Sequence, residues 1–273
     1  MQPIITKKEA DRILKVEGET IVSLDLGISQ SKIIIKDGFA LIGENKIPIE
    51  DFKKAKEGCC YAVEDNQLKK IAFFSEETNF YYKLLPTKDW PTFTLSSTPM
   101  HRHANLSPKE DTMLKIKEIS PVIGNVLDTC CGSGYTAITA AKNAEHVFTF
   151  EKDSNVLFLA KFNPYSRELF SNKKIDIFEE DIFEGIKKFK SCFFDRIVHD
   201  PPTFKYAPEL YSREFYSGLY RVLKKGGIIY HYTPWPHKTR KEVFYKGVVR
   251  KLKEIGFESI AYMERSCGVV ARK

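Results

Sequence analysis

Two kinds of apolar spacing divide the chain. From Ile21 to about Thr94, short β-type runs are separated by turn residues: Thr20–Leu26, Lys32–Lys36, Phe39–Leu41, Cys59–Val63, Lys69–Phe74 and Asn79–Leu84. Breaks at Gly27, Asp37-Gly38, Gly43-Glu44-Asn45 and Glu64-Asp65-Asn66 read as hairpin turns. This spacing predicts a small antiparallel domain over residues 1–95. The stretch from Pro86 to Pro108 reads as a linker, broken only by the run Phe93–Leu95.

The pattern then changes. Ser107-Pro108-Lys109-Glu110 is a capping box with proline at the first helical position, so a helix is expected to about Ile119. Strands and helices alternate after it. The expected strands are Val126–Asp128, Val147–Glu151, Ile175–Phe178, Arg196–His199 and Ile228–Tyr232. Helices are expected from Tyr135, Ser154 and Ile182, and over Ser212–Leu223 and Lys241–Ile255. The runs Ser259–Met263 and Gly268–Ala271 close the chain. Such alternation predicts an α/β domain over 105–273 with a mostly parallel sheet covered on both faces.

At 273 residues, 42% hydrophobic and 29% charged, the chain has the composition of a globular protein. It holds no run of ~18 to 20 apolar residues of the kind a membrane helix needs, and its start lacks the zones of a signal peptide. Six cysteines fall as two adjacent pairs and two singles, none at metal-finger spacing, which points to a reducing cytoplasm and no metal. The net charge is +7 and uneven: residues 1–100 carry a net of −1, whereas 238–273 hold ten basic and four acidic side chains. Positive charge gathered at one end suits a polyanion, the alternative being a solvated lysine face.

Two segments carry chemistry. In Val126-Leu127-Asp128-Thr129-Cys130-Cys131-Gly132-Ser133-Gly134-Tyr135 an apolar strand runs through a glycine turn into a helix. Glycines there let the backbone approach a ligand, and the helix start offers free amides at the strand ends, where parallel sheets bind ligands. Glu151, 17 residues beyond Gly134 at the end of the next strand, can accept hydrogen bonds from ribose hydroxyls. The second segment is His199-Asp200-Pro201-Pro202-Thr203-Phe204. Proline holds this backbone extended, removes donors and leaves carbonyls toward the crevice. Asp200 and the Pro201 carbonyl could then accept both protons of a substrate NH2 and aim its lone pair.

On these residues the chain resembles the class I S-adenosylmethionine-dependent methyltransferases over roughly residues 105–273. The resemblance rests on the glycine loop Asp128–Gly134, Glu151, Asp181 in Glu179-Glu180-Asp181-Ile182-Phe183, Asp200-Pro201-Pro202, and Leu219–Gly227 leading into the fifth strand. It implies a Rossmann-like sheet after a smaller β-rich domain that could recognise substrate. S-adenosylmethionine would be bound by Asp128, Cys130, Gly132, Gly134 and Glu151, with Asp181 at the adenine. Asp200, Pro201, Pro202 and Phe204 would serve the accepting amine. More narrowly, Pro99-Met100-His101-Arg102, the Asp-Pro-Pro loop and Glu209-Leu210-Tyr211-Ser212 resemble predicted archaeal methyltransferases thought to act on RNA. Two departures stand out: Cys130 replaces a usual glycine, and Thr203 takes the place of an aromatic residue after Asp-Pro-Pro, with Phe204 following.

The implied activity is methylation of an exocyclic amine (cytosine N4, adenine N6 or guanine N2) in rRNA or tRNA. Candidate RNA-binding residues are His101, Arg102, Lys238, Arg240, Lys241, Lys246 and Arg250, with Tyr206, Tyr211, Trp235 and Phe244 as stacking partners. Alternatives are methyl or aminopropyl transfer to a small-molecule amine or a protein on the same scaffold, and an inactive RNA-binding scaffold. An aminopropyl transferase is expected to show extra acids around its acceptor and a different glycine loop, and neither is evident in the sequence. No cysteine stands beside the proline loop or the fifth strand, which disfavours pyrimidine C5 chemistry. Asp25-Leu26-Gly27-Ile28-Ser29 resembles a phosphate loop but reads better as a turn.

Overall fold

The computed structural model describes residues 2–233 and 241–273, with side chains in the latter stretch from 244 onward. Its contacts divide the chain into two units, Met1–Lys109 with Asn155–Arg167, and Glu110–Ser154 with Glu168–Lys273.

The first unit is built from three antiparallel sheets. One orders Ile4–Thr6, Cys60–Glu64 and Gln67–Lys70; a second is the meander Gly18–Val22, Ser31–Lys36, Phe39–Ile42 and Asn45–Pro48. Its tight turns follow from backbone chemistry: Asp37 (φ 52°) and Gly38 (φ 78°) join strands in register Lys36 to Phe39. Asp65 and Asn66, both left-handed, do the same between Glu64 and Gln67. The third sheet orders Thr98–Pro99, Thr92–Leu95, Phe80–Leu85 and Ala72–Ser75. The expected linker is therefore sheet: prolines 91 and 99 stand just before and at the end of short strands, where a missing amide is tolerated, and Phe93 is fully buried between them.

Two further differences have local causes. Lys7–Ile13 is a helix that buries Ala10 and Ile13, a pattern too short to register against the strands around it. Segment 155–167 joins the first unit because Val156, Leu159 and Ala160 pack with Ile4, Tyr82, Leu84 and Phe93. The Asp25 loop is a closed turn, with Asp25 Oδ1 accepting from Ser29 N (2.8 Å) and Ser23 Oγ (2.9 Å).

The second unit is one seven-stranded sheet. In chain order its strands are β1 (Asn125–Asp128), β2 (His146–Phe150), β3 (Ile175–Phe178), β4 (Phe194–His199), β5 (Leu223–Tyr232), β6 (Glu258–Met263) and β7 (Gly268–Arg272). Spatially they run β3-β2-β1-β4-β5-β7-β6, with β7 antiparallel to both neighbours and the rest parallel. β5 begins five residues earlier than expected, because Gly226 (φ 73°) lets the strand kink without ending. Helices Pro108–Glu118, Tyr135–Ala141, Arg213–Val222 and Lys241–Ile255 belong to this unit, the third capped by Ser212 Oγ on Phe215 N. Leu127, Phe150, Phe194, Ile197, Phe215, Leu219, Leu252 and Val269 form its core. The strand order switches beside β1, so the crevice at the C-terminal ends of β1, β2 and β4 is where a ligand belongs. No helix among the described residues is long and apolar enough to cross a membrane.

Candidate functional site

The glycine loop leaves β1 at Asp128, which is buried. Asp128 Oδ1 accepts from Thr136 Oγ1 (3.0 Å) and Oδ2 from Thr149 Oγ1 (2.7 Å), so its carboxylate ties the loop to the following helix and to β2. Burial pushes its pKa up to about 7, against the two hydroxyl donors. Gly132 (φ 54°) and Gly134 (φ 75°) are left-handed. A Cβ on Gly134 would stand 2.6 Å from Leu169 Cδ2, so only glycine passes here. Burial pushes the thiols of Cys130 and Cys131 well up, as expected of space-filling residues rather than nucleophiles.

Glu151 follows β2 and faces the same loop. Its Oε2 accepts from Gly132 N (3.0 Å) and its Oε1 from Asp153 N (3.1 Å), while burial raises its pKa to about 7. Asp181 follows β3; its Oδ1 caps Phe183 N at 2.9 Å and its Oδ2 lies 3.5 Å from Lys152 Nζ. Lys152 also reaches Glu209 Oε1 at 3.7 Å, in the turn after the proline loop.

Asp200 follows β4. Its Oδ2 is 2.6 Å from Lys115 Nζ, and Lys115 Nζ is 2.8 Å from Asp111 Oδ2. Lys115 is buried, with its ammonium 4.6 Å above the Tyr232 ring. Burial works against that charge, but Asp111 and Asp200 outweigh it and hold the lysine pKa above its ordinary value. The Pro202 carbonyl is not open to a ligand, since Tyr211 OH donates to it at 2.7 Å. The Pro201 carbonyl has no hydrogen-bond partner among the described residues. Phe204 is 50% exposed and meets Tyr211 edge-on at 5.7 Å.

A buried histidine pair underlies both loops. His199 Nε2 donates to the Leu210 carbonyl (3.1 Å), which leaves Nδ1 to accept from Thr129 Oγ1 at 2.8 Å. His231 Nδ1 donates to the Tyr232 carbonyl, and Nε2 accepts from Tyr216 OH at 2.7 Å. The rings lie 4.4 Å apart, and burial lowers both pKa values, that of His231 to about 3, so both are neutral. His199 thereby links the residue after Asp128 to the residue before Asp200.

The sequence placed Asp128, Gly132, Gly134, Glu151, Asp181 and Asp200 at the strand ends, and the fold brings them to one edge of one sheet. It missed Lys115, the threonine pair on Asp128 and the Tyr211 clamp; Asp111 and Lys115 at helical i,i+4 spacing were the available signal for the first. Tyr211 is no stacking partner, because it is buried and spends its hydroxyl on Pro202. Phe244 packs against Tyr211 at 5.5 Å, and Lys251 is turned inward to the Tyr211 carbonyl at 2.7 Å. Tyr206, Lys246 and Arg250 are exposed. Lys238, Arg240, Trp235 and the side chain of Lys241 lie outside the described residues. His101 and Arg102 are in the first unit, where His101 Nδ1 is 2.9 Å from Thr92 Oγ1.

Residues 128–264 match the family model described as the spermine/spermidine synthase domain. An uncharacterized protein of Methanocaldococcus jannaschii is 42% identical over 98% of this chain and 95% of its own length. Among solved structures, a spermidine synthase in complex with the transition-state analogue AdoDATO is similar with a TM-score of 0.59 and 21% identity, covering 74% of this chain and 72% of that one. The spermidine synthase of Thermotoga maritima has a TM-score of 0.55 and 20% identity, covering 73% and 70%. The chain belongs to the spermine/spermidine synthase domain family and carries that family's α/β fold of the class I methyltransferase type.

Proposed function

We propose that the protein is an S-adenosylmethionine-dependent N-methyltransferase acting on an exocyclic base amine in RNA. The observation that carries this reading is the loop after β4. Tyr211 fixes the Pro202 carbonyl, while the Asp200 carboxylate and the Pro201 carbonyl stand one residue apart as acceptors for the two protons of a planar NH2. Phe204, four residues beyond Asp200, has a half-exposed ring.

The residues fit the cofactor. Glu151 presents a carboxylate at the end of β2 for ribose hydroxyls, Asp181 stands at the end of β3 for the adenine side, and Gly134 keeps the loop free of a side chain where one would collide with Leu169. When bound, S-adenosylmethionine supplies a methyl group made electrophilic by its sulfonium. The protein's part is alignment and exclusion of water. Asp200 and Pro201 would hold the amine by its two protons and turn its lone pair toward the methyl carbon; forming the N–C bond as the S–C bond breaks would release S-adenosylhomocysteine, and the nitrogen would then lose one proton to solvent. No strong base is required. Lys246 and Arg250 on helix Lys241–Ile255 offer exposed positive charge for phosphates.

A second reading, aminopropyl transfer to a small amine, is favoured by the family match and the two spermidine synthases. The two readings separate in one assay. The protein is given radiolabelled S-adenosylmethionine or its decarboxylated form, each with unmodified RNA and with putrescine or spermidine. Label passing from the first donor into RNA supports methylation; label passing from the second into a polyamine replaces it.

A further inference from the structure

We propose that Lys115 is a positioning residue for the transfer reaction, keeping the Asp200 carboxylate ionised and turned toward the accepting amine. The inference rests on the reading of Asp200 as the residue that holds that amine.

Helix Pro108–Glu118 precedes the sheet and lies ahead of the residues matched by the family model, yet it delivers a side chain to Asp200. Only 3% of the Lys115 side chain is exposed, against 20% for Asp200, so the ammonium lies beneath the carboxylate and not beside it in solvent. Asp111 and the Tyr232 ring hold it from the other sides, at 2.8 Å and 4.6 Å. Asp111 is fully buried, so the Lys115 ammonium stands between a buried carboxylate and the partly exposed one at the proline loop.

A cluster of this kind is a poor device for stability. A buried ion pair roughly breaks even against an apolar replacement once desolvation is counted. It is an effective device for holding a carboxylate anionic where burial would neutralise it. Asp128, at the same sheet edge, touches no cation: burial, aided by the charge of Asp200, raises its pKa to about 7 although two hydroxyl donors and the more distant Lys115 ammonium work against it. A protonated Asp200 would lose acceptor capacity and become a donor, unable to take an amine proton on that oxygen. The 2.6 Å contact to Oδ2 also removes the carboxylate's rotational freedom.

The test compares wild type with Lys115→Met, Lys115→Arg and Asp111→Asn/Lys115→Met. The double variant removes one charge of each sign and covers the case in which the single change fails to fold. The primary readout is a carbon NMR titration of the Asp200 carboxyl, identified with Asp200→Asn, with S-adenosylhomocysteine present. We expect Asp200 to titrate about one pH unit or more higher in both Met variants than in wild type, and Arg to restore the wild-type value. Methyl transfer to RNA from cells lacking the gene should fall about 100-fold or more in kcat with KM changed little, its acid limb moving up in parallel. An unchanged titration and unchanged kcat in a folded Met variant would overturn the role of Lys115. If wild type instead transfers an aminopropyl group, the RNA reading fails while the titration still decides Lys115.

Discussion

The amide of Gly132 donates to Glu151 Oε2 over 3.0 Å, so the glycine loop and the acid beyond the neighbouring strand are tied together before any ligand arrives. Burial leaves Glu151 with a pKa near 7 instead of its ordinary value of 4.5. An ionised carboxylate accepts two ribose hydroxyls better than a protonated one, so ligand binding and protonation oppose each other. The affinity for S-adenosylhomocysteine should therefore fall as pH drops below about 7, approaching tenfold per pH unit. Without ligand the sign is reversed: the raised folded pKa contributes stability that is full below about pH 4.5 and is lost as pH rises through 7. Glu151→Gln should weaken binding and flatten its pH dependence, as calorimetry across pH 5.5 to 8.5 would show.

Gly134→Ala should destabilise the second unit by about 1–3 kcal/mol, because a Cβ meets Leu169 at 2.6 Å and the residue holds φ at 75°. Part of that loss should appear as weaker cofactor binding, since relief requires the loop to move. Thermal denaturation with and without S-adenosylhomocysteine separates the two effects.

Tyr211→Phe keeps the ring against Phe204, Phe244 and His231 but removes the donor to the Pro202 carbonyl. The expected stability loss is about 1 to 2 kcal/mol. Hydrogen exchange should rise selectively over 203–211, where Tyr206 N now bonds Thr203 O at 2.8 Å. Methyl transfer should drop in kcat more than in KM.

If helix Lys241–Ile255 tracks phosphates, Lys246→Ala with Arg250→Ala should make the salt dependence of RNA binding shallower by about two in log–log slope. Arg250 lies 3.8 Å from Glu254, an exposed pair too weak to hold it from a phosphate. An unchanged slope would move the RNA contact to another surface.

The second unit was legible because each of its parts obeys a local rule. Ser107-Pro108 starts a helix, the glycine turn must follow an apolar strand, and Asp-Pro-Pro must end one. The strands Ile175–Phe178 and Asn125–Asp128 fall at or within a residue of where the apolar spacing puts them. What escaped depends on distance in sequence. Lys115 meets Asp200 across 85 residues, and nothing in either neighbourhood announces the other. Phe93 looked like a hydrophobic island between prolines, since only pairing with Phe80–Leu85 makes it a strand. Tyr211 looked like a nucleic-acid contact because aromatic residues near a binding loop do; burial decides otherwise, and burial is a property of the whole fold.

The measurement that tests the central claim most directly is mass spectrometry of nucleosides from RNA of cells lacking the gene, after incubation with the protein and methyl-deuterated S-adenosylmethionine. The account predicts label on the exocyclic amine of cytidine, adenosine or guanosine, lost with Asp200→Asn while S-adenosylhomocysteine still binds. Label on a ring carbon or a ribose, or no label in any RNA from a protein that binds the cofactor, would contradict it.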